Sequence, residues 1–270
     1  MIKNTKDDTK EVVFREKEYH EEFYKNAYIS HSAFNFKVPK VWIDKARNPS
    51  SLPLDYWEYA FHLLGELKGK KVVEVGCGDG WITTCLASAG AIVYAFDISL
   101  KGCELTRRKL EAHGLPQGIV GVMDAHAMAL KNDSFDAVFI AGVLHHLDIN
   151  KLAKEAYHVL KNGGVLVCYE PLNYGPIMWK IRKIWLYLNR KKEYTWTHDE
   201  DPLQDNDLDP FREIFKKAYL RKFNFIAKTN RLKKRFGLLA NTLRWTDYIL
   251  LSMFPFFRRY CTCIVCRFIK

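Results

Sequence analysis

Between residues 71 and 170 the chain alternates short apolar runs with longer amphipathic ones. The apolar runs cover residues 71–75, 91–96, 118–123, 135–141 and 164–169, and each predicts a buried strand. Residues 81–89, 100–113 and 150–160 lie between them and predict helices. Strands that alternate with helices in this way are typical of a parallel sheet covered on both faces. The pattern therefore predicts an α/β fold, a doubly wound and mostly parallel sheet with helices on both faces.

The segments on either side of this region are less regular. Residues 54–67 have the apolar spacing of an amphipathic helix, and helices are also expected at 11–27 and 176–192. An acidic loop is expected over residues 193–210, then a helix at 211–218 and a strand at 219–229. The chain ends in CTCIVCRFIK, residues 261–270, whose β-branched and cysteine residues favour a last buried strand.

The formal net charge of +11 is unevenly distributed. Residues 1–175 carry 21 Lys and Arg against 22 Asp and Glu, whereas residues 176–270 carry 21 against 9. With 48% apolar and 27% charged residues, the composition excludes a disordered chain. The positive charge is therefore a property of the C-terminal third, where it alternates with Trp, Phe and Tyr.

The glycine-rich segment VVEVGCGDG, residues 72–80, joins a predicted strand to the following helix. Its G-x-G-x-G spacing differs from the dinucleotide G-x-G-x-x-G motif and lacks the Gly-Lys-Ser/Thr of a phosphate-binding loop. Ligands of open α/β sheets bind at the carboxyl ends of the strands, where glycine lets the backbone approach them closely. Asp97 and Asp124 end the next two strands, so their carboxylates are expected near this turn. Asp97 is placed to accept hydrogen bonds from two ribose hydroxyls.

Five segments, in this order, resemble the class I S-adenosylmethionine-dependent methyltransferases of the type 11-like group. VVEVGCGDG is similar to the first motif of that family, YAFDIS to its second, and VMDAHAM to the segment that holds the adenine. SFDAVFIAGVLHHL and LKNGGVLVCYEP resemble the fourth-strand motif and the approach to the fifth strand. The resemblance covers about residues 55–175. It implies a Rossmann-like, seven-stranded sheet ending in an antiparallel hairpin, with S-adenosyl-L-methionine as cofactor.

The resemblance also implies roles for individual residues. The turn glycines would approach the amino acid and ribose parts of the cofactor, and Glu74 would anchor the turn or the cofactor ammonium. Asp97 would bind the ribose, and Asp124 the adenine amine. The complete expected cofactor set is Glu74, Gly76, Cys77, Gly78, Asp79, Gly80, Asp97, Ile98, Asp124, Ala125, Ala141 and Gly142.

The same resemblance divides the chain into two parts. Residues 1–53 are expected to form a helical extension or cofactor lid. Residues 54–270 are expected to form the methyltransferase domain, with insertions at 176–218 and 230–260 that build the acceptor site or face a membrane.

Three residues near the expected position of the methyl group are candidate catalytic residues: His145, His146 and Glu170. Either histidine could take the proton of a hydroxyl acceptor, or the pair could serve packing and loop hydrogen bonds. Tyr174 is a further candidate. A sulfonium is an excellent leaving group, so positioning alone can supply most of the rate without a dedicated base.

The chain has seven cysteines, an odd number, spread over predicted strands and helices. The C-x-C-x-x-C of residues 261–266 has no nearby histidine or second cysteine pair, so no metal site is predicted and these cysteines are expected in a buried strand. The N-terminal residues lack the apolar region of a secretory signal, and no uncharged apolar run reaches about 18 residues. A cytoplasmic protein with free thiols is therefore expected.

The basic, aromatic segments leave several functions open. Nucleic acid would account for the Lys and Arg residues, but the apolar run YILLSMFPFF suits it poorly. An interfacial helix on an anionic membrane surface accounts for both, and a buried helical cap or dimer surface is the alternative. We therefore expect methyl transfer to a lipid, quinone or lipid-linked acceptor at the cytoplasmic membrane face, with oxygen favoured over nitrogen or carbon as the acceptor atom. The other hypotheses are a soluble small acceptor under an aromatic lid, an RNA acceptor, and a non-catalytic binding module.

Overall fold

The computed structural model describes residues 6–30, 37–52, 55–115, 118–172, 203–226 and 237–270. The strands of these segments form one seven-stranded sheet in the order β3-β2-β1-β4-β5-β7-β6. They are β1 Lys71–Val75, β2 Ile92–Asp97, β3 Gly118–Val122, β4 Phe135–Ala141, β5 Leu160–Pro171, β6 Lys217–Phe223 and β7 Cys263–Ile269. Strands β1 to β5 are parallel, and β7 runs antiparallel to both β5 and β6. The predicted mostly parallel sheet with a terminal hairpin is confirmed.

Helices cover both faces of this sheet. They are α1 Lys6–Ser30, α2 Lys40–Arg47, α3 Tyr56–Leu64, α4 Trp81–Ser88, α5 Leu100–Ala112, α6 Ile149–Val159, α7 Asp209–Ile214 and α8 Gly237–Met253. Short 3-10 helices follow at Leu144–His146, Asp205–Leu208 and Pro255–Tyr260. One apolar core lies between the sheet and α2 to α5, and a second lies between the opposite face and α6 and α7. The doubly wound arrangement is confirmed.

Side-chain caps set the starts of the helices that pack on the sheet. Asp55 accepts a hydrogen bond from the Trp57 backbone N–H at the start of α3, and Ser99 caps α5 in the same way. Asp148 accepts from two backbone N–H groups at the start of α6. Each cap satisfies amide groups that have no partner inside the helix. The helix predicted at 54–67 is therefore shorter, from its cap at Asp55 to Gly65, whose φ of +75° ends it.

The elements before β7 differ from the prediction. The helix expected at 211–218 is α7, Asp209–Ile214, and the strand expected at 219–229 is β6, Lys217–Phe223. Phe215 is already extended, because β6 pairs with β7 from Lys217 opposite Ile269 onwards. The expected acidic loop also contains a 3-10 helix, Asp205–Leu208, whose Leu208 is buried against α6 and β7 in the second core. Tertiary pairing therefore overrides the helical spacing of this segment.

The N-terminal region carries one helix that was predicted and one that was not. The helix expected at 11–27 is present and extends over Lys6–Ser30. Helix α2, which begins after Pro39, was not predicted and packs against α4. The helix predicted at 176–192 and the candidate Tyr174 lie outside the described residues. No helix in the described segments has the length and hydropathy needed to cross a bilayer.

All seven cysteines are free and buried. Cys263 and Cys266 lie in β7 between β5 and β6, and Cys261 precedes that strand. The expectation of a buried strand is confirmed for Cys263 and Cys266, whereas Cys261 is buried but lies before the strand.

Candidate active site

A cavity of about 530 Å³ opens at the carboxyl ends of the central strands. Strand β1 lies between β2 and β4, so the connections leaving β1 and β4 diverge to opposite faces of the sheet at this point. Divergence of neighbouring connections leaves a crevice at this end of an open α/β sheet. The volume is in the range typical of small-molecule sites.

Most of the predicted cofactor residues line this cavity. The described lining includes Glu74, Gly76, Cys77, Gly78, Asp79, Asp97, Ile98, Asp124, Ala125, Ala141 and Gly142. Gly80 is not part of the lining and begins α4, where a Cβ would lie 2.7 Å from the Cα of Thr106. Gly80 therefore allows close packing of α4 against α5. It supports the turn and does not line the cavity.

Two glycines of the turn occupy positions where a side chain would be strained. Gly76 has a φ of +74°, and a Cβ there would lie 2.5 Å from Cγ2 of Val143. Gly78 has a φ of +52°, and its Cβ would lie 2.6 Å from the hydroxyl oxygen of Tyr24. Both positions combine a left-handed backbone with a close neighbour, so the turn presents bare backbone to the cavity.

Glu74 is a buried carboxyl group at the floor of the cavity. Its side chain is 2% exposed, and its Oε2 has no hydrogen-bond partner among the described residues. Burial raises the pKa of Glu74 from 4.5 to about 8; the nearby Thr83 side chain opposes this shift, and the charges of Asp97 and Asp79 add to it. A buried carboxylate without a partner is costly, so this position fits a ligand that brings a cationic group.

Asp97 lies at the end of β2 and is also buried. Its Oδ2 accepts from the Gly78 backbone N–H at 2.8 Å, and its Oδ1 accepts from the Ser99 N–H at 2.9 Å. Burial raises the pKa of this carboxyl group above its ordinary value, although these hydrogen bonds oppose the shift. Because each carboxylate oxygen has two acceptor sites, Asp97 can hold the turn and still accept from a ligand.

Asp124 stands at the rim, with its side chain 44% exposed. It accepts from the backbone N–H of His126 at 2.8 Å, and the His126 Nδ1 lies 2.8 Å from the same oxygen. The turn after β3 therefore holds this carboxylate beside Ala125, which also lines the cavity.

Helix α1 forms one wall of the cavity, and none of its individual residues was predicted to belong to the site. Val13, Glu16, His20, Phe23 and Tyr24 all line the space. They recur at intervals of three and four residues, the spacing of one helix face, which is the signal that identifies them.

A single carboxylate docks α1 onto the start of α5. Glu21 accepts a hydrogen bond from the Ser99 hydroxyl at 2.6 Å and another from the Lys101 backbone N–H at 3.1 Å. Ser99 is the cap residue of α5, and Lys101 lies in the first turn, where backbone N–H groups have no helical partner. This contact places α1 across the glycine turn.

The two candidate histidines point to different surroundings. His145 Nδ1 lies 3.0 Å from Oε2 of Glu170, which is fully buried and accepts from the backbone N–H groups of Val143 and Leu144. His146 instead lines the cavity, with its Nδ1 3.2 Å from Oε2 of Glu16. His145 and Glu170 therefore support the loop after β4, and His146 is the histidine that faces the cavity.

Comparison with known proteins supports the same assignment. Residues 73–168 match the family model described as a methyltransferase domain. The demethylmenaquinone methyltransferase of Geobacillus stearothermophilus is 30% identical over 167 residues, which cover 54% of this chain and 70% of the relative. The chain belongs to the S-adenosylmethionine-dependent methyltransferases. The cofactor of this methyltransferase is S-adenosyl-L-methionine.

Two further comparisons show how much of the chain is similar to known methyltransferases. The ubiquinone biosynthesis O-methyltransferase of Bordetella avium is 30% identical over 124 residues, covering 44% of this methyltransferase and 49% of the relative. The structure of phosphoethanolamine N-methyltransferase 2 from Haemonchus contortus, solved with S-adenosylhomocysteine, aligns with a TM-score of 0.55 at 15% identity. That alignment covers 79% of this chain and 52% of the other. At this identity the solved structure shows the shared fold alone.

Proposed function

We propose that this methyltransferase acts at a membrane face on a small apolar acceptor, such as a quinone, a lipid or a lipid-linked molecule. The observation that carries the proposal is the outward face of α8 and the turn after it. This surface is defined here as the apolar face and consists of Trp245, Ile249, Met253, Phe254 and Phe256.

The inner side of α8 is held against the domain. The Arg244 guanidinium lies 2.8 Å from the Asp55 carboxylate, and Leu251 is buried. Asp247 is buried as well and accepts hydrogen bonds from the backbone N–H groups of Phe225 and Ile226. These contacts determine which side of the helix faces away from the core.

The apolar face is exposed to an unusual degree. Trp245, Ile249 and Met253 follow one another at four-residue intervals and are 44%, 50% and 65% exposed. Phe254 and Phe256 continue the surface at 50% and 58%. Five large apolar side chains on one face form a contiguous patch of the kind that marks an interaction site.

Positive charge borders the apolar face. Arg258 and Arg259 are exposed, and the Arg259 guanidinium lies 3.7 Å from the centre of the Phe256 ring. Apolar side chains with adjacent arginines suit a bilayer interface, where the former enter the acyl region and the latter meet anionic headgroups. A bound nucleic acid would contact the arginines but leave the apolar face exposed to water. The positive charge by itself therefore does not favour nucleic-acid binding. The relatives named for demethylmenaquinone and ubiquinone methylation support an apolar acceptor.

The proposed cofactor site uses the cavity described above. Glu74 receives the ammonium of S-adenosyl-L-methionine, the turn around Gly76 and Gly78 contacts the methionine and ribose parts, and Asp97 accepts from the ribose. Asp124 accepts from the adenine amine beside Ala125. Helix α1 acts as the lid of this site, as expected for residues 1–53, because its inward face closes one wall.

The proposed acceptor position lies between Gly142, His146 and α1. An oxygen of the acceptor attacks the methyl carbon in line with the departing sulfur, so that S-adenosylhomocysteine and the methyl ether form and one proton is released. His146 borders this position, whereas His145 and Glu170 act as positioning residues through the loop after β4. The cavity shape then supplies the orientation on which the rate depends.

Vesicle flotation tests the membrane part of the proposal. The protein should float with vesicles containing phosphatidylglycerol, and replacing Trp245, Ile249 and Met253 by Ser should abolish flotation while S-adenosylhomocysteine binding is retained. A matched control replaces three exposed apolar residues toward the opposite edge of the sheet: Leu100, Ile119 and Val122. Equal flotation of both triple variants, or none by the unaltered protein at low salt, would contradict membrane docking.

Transfer of an isotope-labelled methyl group tests the reaction. Labelled S-adenosyl-L-methionine is incubated with the protein and a detergent extract of membranes, and the lipid phase is examined by mass spectrometry. We expect a labelled product whose mass exceeds that of its precursor by one labelled methyl group less one hydrogen atom. Label recovered in a water-soluble product alone would favour the soluble-acceptor hypothesis.

A further inference from the structure

Three potential metal ligands meet at the mouth of the cavity. Glu16 and His20 lie one turn apart on α1, and His146 reaches them from the 3-10 helix after β4. The Glu16 Oε2 lies 3.4 Å from His20 Nε2 and 3.2 Å from His146 Nδ1. One ligand atom from each residue lies within 4.8 Å of the other two.

These distances agree with the edges of a small coordination polyhedron. Zinc binds histidine nitrogen and carboxylate oxygen at about 2.0–2.2 Å, which separates two ligands of a tetrahedral site by roughly 3.3–3.5 Å. The two measured separations, 3.2 and 3.4 Å, match that spacing closely. Two edges of the triangle are therefore already at ligand spacing, and the third, between the two histidine nitrogens, lies within 4.8 Å.

The surroundings favour an ion over isolated side chains. The side chains of Glu16, His20 and His146 are only 11%, 25% and 14% exposed, so solvent has limited access to their ligand atoms. All three line the cavity, which leaves the remaining coordination position open on the side where a ligand would enter. Three protein ligands with one open position are typical of a catalytic rather than a structural zinc site.

We propose that Glu16, His20 and His146 bind one divalent first-row transition-metal ion, with the open position directed into the cavity. Two imidazoles and one carboxylate are donors that suit zinc and related ions better than magnesium or calcium. Because two ligands belong to α1 and one to the loop after β4, the ion also ties the lid helix to the domain.

The role of the ion rests on the proposed function. A cation at this position polarises an acceptor hydroxyl, whose proton passes to solvent water. The oxygen then forms a bond to the methyl carbon of S-adenosyl-L-methionine. The carbon–sulfur bond breaks and its electron pair remains on sulfur, which gives neutral S-adenosylhomocysteine.

Zinc titration of the chelator-treated, full-length protein by calorimetry tests the site. We expect one equivalent to bind, and His20→Ala and Glu16→Gln each to weaken binding by more than about 100-fold, since loss of outer contacts alone costs 10–100-fold. Matched controls are Glu18→Gln on the exposed side of α1 and His158→Ala on the exposed side of α6, and both should bind as the unaltered protein does.

Two further measurements make the outcome decisive. Cobalt substitution should give visible absorption without a thiolate charge-transfer band, because the proposed ligands include no cysteine. S-adenosylhomocysteine affinity and thermal unfolding report whether each variant is folded. Undiminished zinc binding in both variants, a thiolate band, or no binding at all would overturn the site. Zinc binding as expected without methyl transfer would leave the metal site standing and contradict the proposed function instead.

Discussion

The pH dependence of cofactor binding tests the role proposed for Glu74. Its pKa of about 8 means that the free protein holds this carboxyl group mostly protonated at pH 7. A bound ammonium favours the ionised form, so binding should release close to one proton. The affinity for S-adenosyl-L-methionine should therefore rise about tenfold from pH 6 to pH 7. The rise should end near pH 8, where the amino group of the cofactor itself loses its proton.

The same pKa has a consequence for the stability of the free protein. Below pH 4.5 the group is protonated in both the folded and the unfolded chain, and above about pH 8 it is ionised in both. Between these values only the unfolded chain is ionised, so the free energy of unfolding should fall as the pH rises. The shift from 4.5 to about 8 corresponds to a decrease of at most about 5 kcal/mol. Glu74→Gln should remove this decrease.

Calorimetry in two buffers of different ionisation enthalpy measures both the affinity and the number of protons released. Glu74→Gln should bind the cofactor more weakly near neutral pH and with less proton release, and Glu66→Gln, at an exposed position, is the matched control. Urea unfolding between pH 5 and 8 measures the stability change. An affinity that is constant from pH 6 to 7, or proton release that persists unchanged in Glu74→Gln, would refute the proposed contact.

Three other substitutions test the site. Asp97→Asn should weaken cofactor binding in calorimetry by about tenfold or more, since hydrogen bonds to charged groups contribute about 1.5–3 kcal/mol; equal affinity would contradict the ribose contact. Gly78→Ala should destabilise the fold more than Gly65→Ala, because both have positive φ but only Gly78 meets a neighbour, and Tyr24→Phe should relieve part of the difference in thermal unfolding. Glu170→Ala removes the acceptor of two backbone N–H groups and should lower the free energy of unfolding, measured by urea denaturation, by about 3 kcal/mol. A change within experimental error would show that the loop after β4 keeps its conformation without Glu170.

The central fold could be predicted because its signals are local. Each strand from β1 to β5 contains a short apolar run bounded by polar or glycine residues, and the helices that follow β2 and β4, α5 and α6, each begin at a side-chain cap. Residues 211–229 were predicted correctly as a helix followed by a strand, but with other bounds. The pairing of β6 with β7, which joins residues about 40 to 50 positions apart, decides where the helix ends and the strand begins.

The sequence predicted the residues on only one side of the candidate site, the side formed by the strand ends. The glycine turn and the acidic residues lie directly at the ends of predicted strands, so Glu74, Asp97 and Asp124 could be assigned to the site from the sequence. Helix α1, which forms the other wall, is not adjacent in sequence to any strand of the sheet, so its place in the site could not be predicted. Its Glu21 contact with the start of α5 joins residues almost eighty positions apart, and no local pattern encodes that distance.

The sequence by itself therefore predicted the alternating strands and helices, the glycine turn at the switch point and the concentration of positive charge in the C-terminal third, because periodicity and turn chemistry act over a few residues. The seven-stranded sheet with its terminal hairpin and the cofactor class followed from the resemblance to a known family. Only the tertiary structure decided which of two adjacent histidines faces the cavity, which groups of α1 join it, and which face of α8 is turned outward. Those choices depend on how separate elements pack. A helix can bury any of several faces, and the contacts across the fold select one.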